Sequence, residues 1–384
     1  MLGLVTAIGP LSLDMYLPAF PAVADDLAVA PAEVQLSLTT CLIGLALGQF
    51  VCGPLSDRWG RRRPMLIGVG AYAILSLLCA LAPSAPLLAG VRLLQGFAGG
   101  VGVVVARAIV RDLHSGVGAA KFFSRLTLIF GVAPIAAPLL GSAVLRVTSW
   151  HGIFVTLGII AALLTALLAW RIPETLPVER RSSGGLRDTA RTARTLIADR
   201  VYVGYTLAQS LSFAAMFSYI SGSSFVLQDG YGVSPTLFSI LFGVNACGLI
   251  ALSQANGRLL DRVTPRRLLL TALATQALAG VAVLAGALLG SLVGLAVGLF
   301  VVVGAIGMVM PNATALALDR HPHRAGTAAA VMGGIQSVIA ALAAPLVGIG
   351  DPGLGVPMGA AVLAFAAVAL LTLLLLTAGS RRTA

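Results

Sequence analysis

Lysine is almost missing from this 384-residue chain: Lys121 is the only one, against 24 arginines. A GxxxxGK[ST] phosphate loop needs that lysine. Lys121 is followed by Phe122, so the nucleotide motif is excluded and no ATP-driven step is expected. Charge of either sign is scarce as well. Only 10% of residues are Asp, Glu, Lys or Arg, where a soluble domain carries roughly 25%. The four cysteines, Cys41, Cys52, Cys79 and Cys247, stand singly in apolar runs, with no CxxC pair and no histidine cluster. That pattern excludes a disulfide framework and predicts neither a metal site nor a cofactor.

What remains is hydrophobic: 58% of the residues are apolar. A spanning helix takes about 20 such residues, so the chain has room for about twelve spans and none for an extramembrane catalytic domain. An enzyme is not expected. Apolar runs lie near residues 1–23, 33–55, 65–83, 86–111, 122–145, 150–170, 201–226, 235–257, 267–289, 291–317, 326–348 and 354–378. Residues 171–200 form the one long polar stretch. The expected organisation is a six-helix bundle over 1–170, a cytoplasmic linker over 171–200 and a second six-helix bundle over 201–384. The first run ends in Ala-Val-Ala, yet it has no basic leader and is broken by Pro10, Asp14, Pro18 and Pro21, so it reads as a span rather than a signal peptide.

The formal charge of +11 would suggest nucleic acid in a soluble protein, but here it encodes topology. Twenty-two of the 25 basic residues fall in loops or at the adjoining ends of runs on one side, Arg146 alone in those on the other, and Arg92 and Arg107 lie deeper within a span. The bias predicts cytoplasmic termini, lipid as the surrounding partner and no nucleic acid; a monomer is expected. Trp150 and Trp170 bracket the sixth run as candidate interface residues.

Residues 53–66 align with 257–270 at an offset of 204, with seven identities in fourteen. Each copy lies between the second and third spans of its half, which predicts a parallel duplication and a rocking transporter. Gly53, Asp57, Arg58, Gly60, Arg61 and Arg62, with Asp261 and Arg262 in the second copy, are the candidate cytoplasmic gate. There, acid and arginines could pair across the bundles in one state and separate in the other. Lipid anchoring by the arginines is the alternative.

Gly53–Leu66 resembles the GxLxDRxGRRxxL loop motif of the major facilitator superfamily. Arg92-Leu-Leu-Gln95-Gly96 resembles its fourth-helix motif, and Gly131, Pro134, Pro138 and Gly141 match the fifth-helix Gly/Pro motif of its drug:proton antiporters. Finer features, among them Leu13–Pro21, Ala106–Asp112 and the run from Pro311-Asn312, resemble the Bcr/CflA drug-resistance branch. The resemblance implies an all-α fold of twelve membrane helices in two six-helix bundles. It further implies export of hydrophobic drug-like compounds, such as antibiotics, in exchange for protons across the bacterial inner membrane. A proton-linked carrier of a single metabolite is the alternative.

Asp14 is the only acid within a span. A carboxylate in hydrocarbon is costly and is retained for a purpose. Asp14 lies about 15 Å and Arg92 about 9 Å below the outer ends of their spans, at about 1.5 Å per residue. Arg92 can therefore reach it, and a change in their separation would change the proton affinity of the carboxyl. The pair is the candidate proton-coupling element. No span of the second half carries an acid or base. Tyr16, Gln95, Gln209, Phe213, Phe217, Asn245, Asn312 and Gln336 are candidate substrate-cavity residues, with helix-to-helix hydrogen bonding and packing as the alternative. Pro134 and Pro138, with Gly131 and Gly141, form a candidate hinge.

Overall fold

The computed structural model describes residues 1–113, 132–177, 181, 194–321, 325–347 and 355–378. Among the described residues there is no strand, and the chain divides into two compact units, Met1–Gly184 and Gly185–Ala384. Eleven helices of the described residues are long and apolar enough to cross a membrane. Of the expected span 122–145, the helix Val132–Leu145 is described.

The first unit holds α1 (Leu2–Asp14), a 3-10 turn (Leu17–Ala19), α2 (Phe20–Leu27), α3 (Pro31–Trp59), α4 (Arg62–Ala80), α5 (Ala85–Leu113), α6 (Val132–Leu145) and α7 (Trp150–Arg171). The first expected span is thus two helices and a break. Pro18 and Pro21 carry no N–H, so the α-helical bonds they would donate to the Asp14 and Leu17 carbonyls cannot form. The last helical turn closes with Met15 N–H on the Leu11 carbonyl.

Helices α3 and α5 touch backbone to backbone. A Cβ at Gly44 or Gly48 would strike the Leu93 or Phe97 carbonyl, and one at Gly96 or Gly100 the Cys41 or Leu45 carbonyl. Paired glycines four apart on both helices are the small-xxx-small device by which membrane helices gain close packing.

Trp150 departs from its expected interface role. It is 2% exposed, and its indole donates to Asp26 Oδ2 at 2.9 Å, which turns the ring inward. Trp170, 74% exposed, remains at the surface.

The second unit holds α8 (Arg200–Phe225), a π turn (Val226–Gly230), α9 (Pro235–Leu259), α10 (Pro265–Leu288), α11 (Leu292–Asp319), α12 (Ala325–Val347) and α13 (Val356–Leu376). Asp199, Ser234 and Ser291 cap α8, α9 and α11, each accepting from a backbone N–H of the first turn. The duplication continues in space with a shift. Helix α9 starts 204 residues after α3, but α11 starts 207 after α5. Consistently, Gly100 packs on the Leu45 carbonyl and Gly307 on the Leu249 carbonyl.

Candidate functional site

Arg92 is 0% exposed at the heart of the first unit. Its NH1 donates to Gln95 Oε1 at 2.7 Å and its NH2 to the Ser12 carbonyl at 2.9 Å. The guanidinium carbon lies 5.2 Å from the Tyr16 ring centre and 5.5 Å from that of Phe154. Gln95 in turn donates to Ser76 Oγ at 2.7 Å, and Ser12 and Tyr72 share a short hydroxyl–hydroxyl bond. Helix ending explains the Ser12 contact. Ser12 lies in the last turn of α1, where carbonyls lack an intrahelical donor and the dipole favours a cation. Together with two π faces, this compensates a charge that burial alone would expel.

Asp14 closes α1 and is 7% exposed. Among the described residues its carboxylate is in no ion pair, because Arg92 goes to Ser12 instead. The fifth-helix motif meets this same break. Gly141 rests directly on the Met15 carbonyl, which a Cβ would strike. Pro134 and Pro138 sit in α6, while Gly131 lies outside the described residues. Tyr16 and Gln95, both 0% exposed, belong to the Arg92 network and line no open surface.

At the other end of the unit, Arg61 is buried between two acids: NH1 lies 2.6 Å from Asp57 Oδ1 and Nε 2.8 Å from Asp112 Oδ2. Burial works against its charge, but the Asp112 and Asp57 carboxylates outweigh burial and raise its pKa. Glu174 completes the cluster. Its carboxylate accepts from the backbone N–H groups of Arg61 at 2.7 Å, Arg62 at 3.3 Å and Leu176 at 3.1 Å. Burial pushes this carboxyl up, yet those donors and Arg181 hold it below its ordinary range. Gly60 has φ +89°, and a Cβ there would meet the Glu174 carboxylate, so both backbone and space require glycine. Arg58 and Gly53 take no part in these ion pairs.

The second copy is not equivalent. Asp261 and Arg262 are exposed, and Pro265 stands where the offset of 204 places Arg61. What persists is a clamp on the last helix of each half. Arg62 NH2 donates to the Ala169 carbonyl at 2.8 Å and Arg266 NH2 to the Thr377 carbonyl at 3.2 Å. Asp199 gathers its own cluster, accepting from Arg320 Nε at 2.8 Å with His321 Nε2 at 3.1 Å. Glu174 and Asp199 carry no signal in the sequence, and Asp112 stands there only as the end of the Ala106–Asp112 segment. Glu174 lies 113 positions from Arg61, and no local spacing could join them.

The neutral polar groups of the second unit pair among themselves. Gln209 Nε2 donates to Gln336 Oε1 at 2.9 Å, and Thr314 donates to Gln209 Oε1 at 2.8 Å, linking α8, α11 and α12. Phe213 and Phe217 stack with ring centres 6.3 Å apart on the following turns of α8. Asn312, 1% exposed, instead ties helices through Asn256 Oδ1 at 2.6 Å. Asn245 donates to the Tyr219 hydroxyl at 2.8 Å.

Residues 2–345 match the family model of the Major Facilitator Superfamily. The chain belongs to that superfamily. It is 42% identical over 363 residues to a protein described as an uncharacterized MFS-type transporter, YdgK, of Bacillus subtilis, covering 94% of this chain and 90% of the relative. It is 34% identical over 347 residues to a bicyclomycin resistance protein homolog of Haemophilus influenzae, covering 90% and 87%. Within the superfamily it falls in the drug-resistance branch that its motifs resemble. The fold is shared with the nucleoside transporter NupG at a TM-score of 0.78 and 13% identity, over 100% of this chain and 98% of that one. The protein is a multi-pass membrane transporter of this superfamily, and its substrates are small molecules.

Proposed function

We propose that this transporter exports hydrophobic, drug-like compounds in exchange for protons across a bacterial inner membrane, by alternating access with both termini in the cytoplasm. The observation that carries the reading is Asp14: a buried acid at a helix break, in no ion pair among the described residues. A carboxyl so placed can gain and lose a proton as its surroundings open and close without first breaking an ion pair. The name of the Haemophilus relative, a bicyclomycin resistance protein homolog, supports a drug as the transported compound. On the second unit, the Thr314–Gln209–Gln336 chain and the Phe213–Phe217 stack combine hydrogen-bonding groups and ring faces without charge, with Phe213, Thr314 and Gln336 partly exposed. That surface suits a flat, mostly apolar molecule. One proton moving inward gains about 2.3 kcal/mol per 100 mV, and about 1.4 kcal/mol sustains tenfold accumulation.

The test is proton movement in energised inverted vesicles, with a panel of antibiotics added singly to wild type and Asp14→Asn at equal expression. Compound-dependent collapse of the pH gradient in wild type only is the expected result. Collapse that survives in Asp14→Asn would move the proton site elsewhere. A response to one metabolite and to no drug would favour the single-metabolite carrier.

A further inference from the structure

A cavity of about 350 Å3 lies within the second unit, between the π turn after α8, the first half of α9 and the first turns of α11. Val244 and Val297, 48% and 60% exposed, put its mouth on the apolar surface of that unit. The lining is aliphatic and aromatic except for one group, Asn245. This side chain is 7% exposed, and its orientation is pinned because Nδ2 donates to the Tyr219 hydroxyl at 2.8 Å. Tyr219 is itself held by stacking on Phe242, with ring centres 5.6 Å apart. No donor to the Asn245 carbonyl oxygen is found among the described residues, and Asn245 is the one polar side chain of the lining.

The duplication shows what built this space. Gly248 is the counterpart of Gly44, but where Gly44 meets the Leu93 backbone, Gly248 receives the Phe300 ring, which a Cβ would strike. A phenyl group thus separates the two helices at this level, although further along they touch directly at Gly307 and Leu249. Leu299, in the same wall, stands at the counterpart of Arg92, 207 positions on, so the cation that fills the first unit is missing here. Leu227 enters from the π turn, and such turns occur frequently at functional sites.

We infer that this cavity is a membrane-side binding site for an uncharged apolar small molecule carrying one hydrogen-bond donor, such as a phenol, with Asn245 Oδ1 as the acceptor. The volume falls in the range of small-molecule sites, and a mostly apolar wall with one oriented polar group is their usual composition. A phospholipid acyl chain matches the wall but has no donor for the amide oxygen, whose pairing in an apolar setting is favourable. The ligand therefore reaches the site dissolved in the bilayer. The inference is independent of the drug-export reading, since it concerns binding and not transport.

The probe is an alkylphenol bearing a diazirine on its alkyl chain, compared with its methyl ether. Both are photolysed with the full-length protein in phosphatidylcholine nanodiscs, and the labelled peptides are mapped by mass spectrometry. The phenol is expected to label residues 241–245 and 296–300 about fivefold more than the ether, the worth of one hydrogen bond. Asn245→Leu should bring the phenol down to the level of the ether. Val297→Trp, at an exposed position away from Tyr219, should block both probes while thermal stability stays at the wild-type value. Equal labelling by phenol and ether, labelling indifferent to either substitution, or labelling confined to other segments overturns the proposal.

Discussion

Arg92 donates to the Ser12 carbonyl at 2.9 Å and forms no ion pair with Asp14, two residues further along the same helix. Asp14 and Arg92, both buried, therefore have separate tasks. Arg92 closes the end of α1 and locks Gln95, Ser76 and Tyr72 behind it. Asp14 is left for proton exchange in the reading proposed above.

Arg92→Lys keeps the charge but cannot span two acceptors with a planar fork. It should cost about 2 kcal/mol of stability, the value of a hydrogen bond to a charged group, and reduce transport by at least about tenfold. Thermal unfolding in detergent and vesicle transport measure both. Wild-type behaviour in Arg92→Lys would show that charge alone matters.

Gly96→Ala should be poorly tolerated, because its Cβ would overlap the Cys41 backbone carbonyl and only helix separation can relieve it. Overpacking of this kind costs about 1–3 kcal/mol. Gly90→Ala on the same helix meets nothing within 4 Å and serves as the control. Its melting temperature should equal or exceed that of wild type, since alanine is the better helix former.

Glu174 and Asp199 are both held below the ordinary carboxyl range, Asp199 because Arg320 and the Tyr202 and Val201 N–H groups outweigh its burial. A depressed folded value adds stability that is whole above the unfolded value, about 4. That stability is lost as pH falls through the folded value. Solubilised protein should therefore lose thermal stability below about pH 4, and Glu174→Gln should flatten that loss. An acid profile identical in Glu174→Gln would remove Glu174 from the account.

The amide chain of the second unit is testable as a coupled pair. Gln209→Ala and Gln336→Ala should each weaken transport of the same compound, and the double variant should do no worse than the stronger single one, because one hydrogen bond joins the two. Additive losses in transport KM would mean that the two residues contact substrate independently.

Much of this architecture is legible in the amino-acid sequence. Charge at 10% and twelve apolar runs dictated membrane helices, since no other use of such a chain satisfies its backbone. The repeated Gly-Asp-Arg loop exposed the duplication, and a lone acid among prolines marked Asp14. These signals lie in composition, in runs and in a repeat, and none depends on which distant side chains meet.

Contacts between distant residues were decided only by folding. Both acids and bases were visible, but whether Arg92 would take Asp14 or a carbonyl depended on where α1 ended and how α5 packed beside it. Glu174 became a helix cap because α7 returns its end to the start of α4, and Trp150 turned inward because Asp26 waits there. The sequence determined which groups must be compensated; the tertiary structure chose the partner. A buried charge or N–H has many chemically acceptable acceptors, and only position in space selects among them.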